Sequence, residues 1–173
     1  MATAALVDID QYLQTSYEPD CDYVDGALEE RNLGTRPHSG LQSLFSYLLL
    51  KYYAEALGIF VYTEQRVQTR PTRFRVPDIC VTLNFPEEDI FRTAPFLCVE
   101  ILSPEDRLPR VELRVQEFLN MGVAFVWLID PLTREAWVYS QSSKLTVTDG
   151  FLRTADPDLQ ISLQELFHLA ERR

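Results

Sequence analysis

The sequence predicts an α/β fold: a mixed central β-sheet flanked by helices, with an antiparallel hairpin appendix towards the carboxyl end. Three observations carry this. Stretches of helical periodicity alternate with short apolar runs of strand character. A helical stretch over residues 109–121 separates two apolar runs, 96–102 and 123–130, and a crossover of that kind sets its two strands parallel. The second of those runs, "VAFVWLID", is apolar almost throughout, as in a strand covered on both faces.

The elements follow in order. "DIDQYLQT" is a short helical pattern near the amino end. Asp25-Gly26 is a hairpin-turn signal, so the runs Cys21–Val24 and Ala27–Arg31 are expected to pair. "HSGLQSLFSYLLLKYYAEALG" is the strongest helix. Leu41, Leu44, Phe45, Leu48, Leu49, Tyr52 and Ala56 recur at helical spacing, Ser39 is a candidate N-cap, and Gly58 ends it. "IFVYTEQRVQT", "RFRVPDICVTL" and "FLCVEILS" then read as three strands in a meander. In "RVELRVQEFLNMG", Val111, Val115, Phe118 and Leu119 form one stripe, and Gly122 stops the helix. "EAWVYS" with "KLTVT" reads as a hairpin continued by a second short one through "DGFLRT", and "SLQELFHLA" closes the chain as a helix. There is no repeat, linker or low-complexity tract, so residues 1–173 read as one domain.

The net charge is −10, from 26 acidic and 16 basic residues. That disfavours coating of nucleic acid driven by overall charge, but leaves room for a local basic cleft. No run reaches the roughly 18 apolar residues of a membrane span, and the amino end has no secretory pattern. Cys80 and Cys98 sit in apolar runs and read as small core residues, which points to a cytoplasmic setting. Trp127 and Trp137 likewise read as core.

Two acids break the apolar pattern: Asp78 in "VPDICV" and Glu100 in "LCVEILS". Strand alternation puts Glu100 on the face of Cys98 and Leu102. Pro77 lacks a donor and suits a bulge or strand start, so Asp78 projects at a kink. If the two strands pair, the acids converge and repel unless a positive group lies between them. A divalent cation such as Mg²⁺ is one answer, with the Ile101 carbonyl as a third ligand. The alternative is that Asp78 caps a turn and Glu100 pairs with an arginine, for which "RPTRFR" supplies Arg70, Arg73 and Arg75. With Arg66, those arginines are the concentrated basic run, suited either to a nucleic-acid backbone or to a solvated surface. Lower in the ranking for the same cleft stand Glu30, His38, Glu64 and Gln65; His38 could donate to a phosphate at the start of the long helix, or simply cap it.

"YVDGALEERNLGTRPHSGLQ", "TRFRVPDICV", "FLCVEILSPEDR" and "FVWLIDPLTREAWVY", in that order, resemble the Uma-two family of restriction-endonuclease-like proteins, within the PD-(D/E)xK nuclease superfamily. The resemblance runs from about residue 20 to 166. It implies a restriction-endonuclease-like fold, Mg²⁺ or Mn²⁺ held by Asp78 and Glu100, and a DNA substrate. The superfamily's lysine position, two residues after the second acid, holds Leu102. The resemblance implies that the basic residue comes instead from the following helix, eight residues before Gly122, where this chain has Arg114. Arginine can hold a phosphate but cannot act as a base; Arg114 could equally be a solvated helix residue or pair with Glu100 in place of a metal, so the alternative expectation is a catalytically silent module binding nucleic acid or protein. A homodimer through the long helix is compatible with either.

Overall fold

The computed structural model describes residues 6–31 and 34–171. Its elements are α1 (Ile9–Gln14), β1 (Cys21–Val24), β2 (Ala27–Glu30), α2 (Arg36–Leu57), β3 (Phe60–Thr63), β4 (Val67–Arg70), β5 (Arg73–Arg75), β6 (Ile79–Thr82), β7 (Leu97–Ile101), α3 (Leu108–Met121), β8 (Phe125–Ile129), β9 (Ala136–Ser140), β10 (Lys144–Thr146), β11 (Phe151–Arg153), β12 (Gln160–Ser162) and α4 (Leu163–Glu171).

Six strands form the main sheet in the order β10-β9-β8-β7-β6-β3. β7 and β8 are parallel across the α3 crossover, and the other neighbours are antiparallel. One sheet face, with Val99, Ile101 and Trp127, packs against α2 and α4. The opposite face, with Cys98, Leu102 and Leu128, packs against the Val111–Val115–Phe118 stripe of α3. Cys80 and Cys98 are register partners, and all three cysteines are buried free thiols. Trp127 is buried and Trp137 packs partly buried against the α3-side core.

A second sheet, β2-β1-β5-β4, sits beside the first, over a small core of Tyr12, Tyr23 and Phe74. Here the structure departs from the expected meander. "IFVYTEQRVQT" is not one strand: Glu64 turns the chain at φ +53, so β3 stays in the main sheet and β4 joins the second. "RFRVPDICVTL" breaks at Val76–Asp78, where Pro77 interrupts the ladder, and returns the chain to the main sheet as β6. Only β3, β6 and β7 form the predicted meander.

Other differences are local. The cap of α2 is Thr35, whose hydroxyl accepts from the His38 amide; Pro37 in the first turn moves the start ahead of Ser39. Tyr52 and Ala56 keep the phase of the buried stripe but are exposed on the last turns of α2, where the Tyr52 hydroxyl donates to Glu165 of α4 at 2.7 Å. β11 pairs with β12 rather than extending the β9–β10 hairpin. Asp25 and Gly26 both take positive φ (50° and 94°), as the tight β1–β2 turn requires.

Candidate functional site

Asp78 stands at the return to β6, and β7 lies alongside, so Asp78 and Glu100 open into one cavity of about 110 Å³. α2 brings His38 and Gln42 to it, α3 brings Arg110 and Arg114, and the β1–β2 hairpin brings Asp22, Glu30 and Arg31. The convergence expected from strand pairing is therefore present.

Asp78 is 2% exposed. Its Oδ1 accepts from Arg31 Nη2 at 2.5 Å, and its Oδ2 accepts from the Ile101 amide at 2.7 Å and lies 3.2 Å from His38 Nε2. Burial pushes this carboxyl up, but the His38 hydrogen bond and the Arg31 charge outweigh it and hold it below the usual carboxylate range. The Asp78 carbonyl accepts from Gln42 Nε2 at 2.8 Å and from the Glu64 amide at 3.2 Å, so both ends of the residue are fixed. For His38, burial lowers and the Asp78 contact raises the pKa; the net direction is upward.

Glu100 is 3% exposed and its environment differs. Oε2 accepts from Arg114 Nη2 at 2.9 Å, while Oε1 and Arg114 Nε are buried without a hydrogen-bond partner. Burial pushes Glu100 up to about 7, against the lowering effect of Arg114. Arg114 Nη2 also lies 3.8 Å from Asp106, whose other oxygen accepts from the Ser103 amide. Of the two arginine sources offered for Glu100, the structure has Arg114 of α3 and not the "RPTRFR" run.

That run has a structural role. Arg75 is 1% exposed and holds both oxygens of buried Glu117, at 2.7 and 3.1 Å, as well as Asp22 and Glu29. Arg73 bridges Glu117 at 2.6 Å and Asp25. Arg75 is out of reach of a nucleic-acid backbone, and Arg73 is committed on both sides; of the three, Arg70 is exposed. Arg66 donates to the Leu13 and Thr15 carbonyls, capping the end of α1. Glu30 and Glu64 line the cavity, but Gln65 does not: it donates to the Arg66 and Asp89 carbonyls.

Arg31, Asp22 and Gln42 were not singled out in the sequence. Asp22 carried a usable signal, since "CDYV" sinks an acid into an apolar strand just as "VPDICV" does. Its Oδ1 accepts from the Val76 amide at 3.0 Å, pinning the segment that leads to Asp78. Arg31 carried none, because its partner is 47 residues away.

The residues fit a hard divalent cation with an incomplete protein shell. Two carboxylates converge, and Glu100 Oε1 is an uncommitted buried acceptor. The Ile101 side chain is in the core, so what it offers the cavity is backbone. Among the described residues no group of three or more His, Cys, Asp and Glu could hold an ion. Such a donor set suits Mg²⁺ or Mn²⁺, which keep several waters, rather than a closed thiolate or imidazole site.

Comparison with known proteins bears on the family and the fold. A family model described as "Uma2: Putative restriction endonuclease" matches residues 9–170. A solved structure described as "a putative nuclease belonging to DUF820", from Anabaena variabilis ATCC 29413, superposes with a TM-score of 0.79. It is 24% identical, with 93% of this chain and 97% of that chain covered, a likeness that shows a shared fold. No curated protein matches the chain.

Proposed function

The chain belongs to the Uma2 family of restriction-endonuclease-like proteins, and from that premise we propose that it is a metal-dependent endonuclease hydrolysing phosphodiester bonds in DNA. One observation carries the reading: two buried carboxylates and an arginine meet in a single polar cavity. Asp78, Glu100 and the Ile101 carbonyl would hold Mg²⁺ or Mn²⁺, which when bound supplies an oriented water and offsets charge on the phosphate. The protein's own part is positional. Arg114 holds a non-bridging phosphate oxygen, and its fixed charge stabilises the phosphorane-like transition state without accepting a proton. His38, at the first turn of α2, offers a donor to the same phosphate. Exposed Arg70 is the remaining candidate from the basic run for the DNA backbone. We place this activity in a single-domain cytoplasmic protein that acts as a homodimer through the outer side of α2, where Tyr47, Leu50 and Leu57 are exposed.

A plasmid-nicking assay in Mn²⁺ and in Mg²⁺ tests it. Wild type nicks, and Asp78→Ala abolishes nicking while the circular-dichroism spectrum is retained. Equal nicking by Asp78→Ala would overturn the reading. A second reading rests on the Arg114–Glu100 ion pair, which neutralises a ligand carboxylate from within. On that reading the protein is a catalytically silent nuclease fold that binds nucleic acid or protein. It predicts silence from wild type, Asp78→Ala and Arg114→Lys alike, whereas a gain in Arg114→Lys alone marks an intact metal site disarmed by one substitution.

A further inference from the structure

α3 presents two carboxylate–arginine pairs three residues apart, at Arg114 and Glu117, and they are built differently. At Glu117 the pair is closed: Arg75 grips both oxygens and Arg73 adds a donor at 2.6 Å. At Arg114 the pair with Glu100 is open, a single contact that leaves Glu100 Oε1 and Arg114 Nε buried and unpartnered. A buried polar atom without a partner is costly, and arginine can close the fork, as Arg75 does. An orphan acceptor beside an orphan donor is complementary to a ligand that joins a cation to an anion, such as a metal-bound phosphate.

Across the cavity, Asp78 shows a matching division. Its Oδ2 is held by the backbone of Ile101 and by His38, whereas its Oδ1 carries the guanidinium of Arg31 at 2.5 Å. Arg31 belongs to the end of the β1–β2 hairpin, not to the sheet that carries the acids. A guanidinium and a divalent ion on one carboxylate oxygen would lie within a few ångströms of each other, where like charges in a buried setting repel strongly.

Resting on the metal reading above, we propose that Arg31 competes with the divalent cation for Asp78 Oδ1 and so sets the metal concentration at which the site loads. Arg31 is a positioning residue in this scheme: it neutralises Asp78 until the ion displaces it.

The test is Mn²⁺ binding by calorimetry on the purified full chain, comparing wild type with Arg31→Gln, Arg31→Lys, Arg110→Gln and Asp78→Asn. Arg110 lines the same cavity, and its ion pair is with Glu29 at 3.3 Å. Its removal changes the charge equally without touching Asp78. Arg31→Gln should tighten the Kd about tenfold or more, and Arg110→Gln about twofold or less because its head is exposed and screened. Asp78→Asn should abolish binding. Equal shifts in Arg31→Gln and Arg110→Gln would reveal a general field effect and overturn the competition, as would an unchanged or weaker Kd in Arg31→Gln. If Arg31→Gln does not fold, Arg31→Lys decides: its compact head holds Asp78 less well, so the Kd tightens about threefold, and no tightening overturns the proposal. Absence of Asp78-dependent binding in every protein, wild type included, would remove the metal reading itself together with the competition, an outcome distinguishable by the wild-type isotherm alone.

Discussion

Among single residues, Glu117 has the most to lose. It is 1% exposed and balances two arginines. Glu117→Gln removes that charge and leaves Arg75 to Asp22 and Glu29 alone, which should cost roughly 3 kcal/mol in urea unfolding at neutral pH, the lower end for a broken buried pair. Burial pushes this carboxyl up, but the bonds from Arg75 and Arg73 prevail, so its folded pKa lies below the ordinary 4.5. A depressed folded pKa contributes stability that is present above 4.5 and is lost as pH falls through the folded value. The gap between wild type and Glu117→Gln should therefore narrow as pH falls through the range below 4.5. A gap that stayed constant across that range would show that the charge of Glu117 is not what the arginines need. The same residue also limits what sequence can reveal. Asp78 and Glu100 were legible because a charge inside an apolar strand must have a reason. Glu117 lies in an amphipathic helix, where an acid between Val115 and Phe118 looks like an ordinary solvated position, and its burial follows only from β4 and β5 of the second sheet, which lie over it.

At the scale of elements, the helices were the most legible part and the strands between 60 and 82 the least. The α3 stripe Val111, Val115, Phe118 and Leu119 is buried as its period requires. Gly58 and Gly122 end α2 and α3 at φ +67 and +110. Nothing lies within 4 Å of a methyl group built on Gly58, so Gly58→Ala meets only backbone strain, about 1 kcal/mol. Gly122→Ala should cost more, about 2 kcal/mol, because φ +110 lies outside the left-handed well open to L-residues; the Ala94 methyl at 3.7 Å is only an ordinary contact. Thermal melts of the two variants check the order; a reversal would mean that the end of α2 is the tighter constraint. The strand errors have one physical origin. "IFVYTEQRVQT" and "RFRVPDICVTL" each have strand composition from end to end, and composition does not say which sheet a strand joins. The switch is made by one backbone conformation at Glu64 and one missing donor at Pro77, both within otherwise regular runs.

For the whole molecule, no helix among the described residues is long and apolar enough to cross a membrane. The proposed homodimer predicts a light-scattering mass about twice the chain's 20.0 kDa. Replacing Tyr47 and Leu50 together by Glu should return it to the monomer, since neither side chain supports the core. A wild-type mass of one chain would place the α2 surface outside any assembly. The path of the chain between the two sheets has a further consequence. It leaves the main sheet at Glu64 and comes back at Asp78, and these two residues are tied together by the Glu64 amide on the Asp78 carbonyl at 3.2 Å. Residues 65–77 are therefore a noose, and the candidate site is its knot. A ligand gripping Asp78 would therefore hold both ends of the noose, and with them β4 and β5, at a single point.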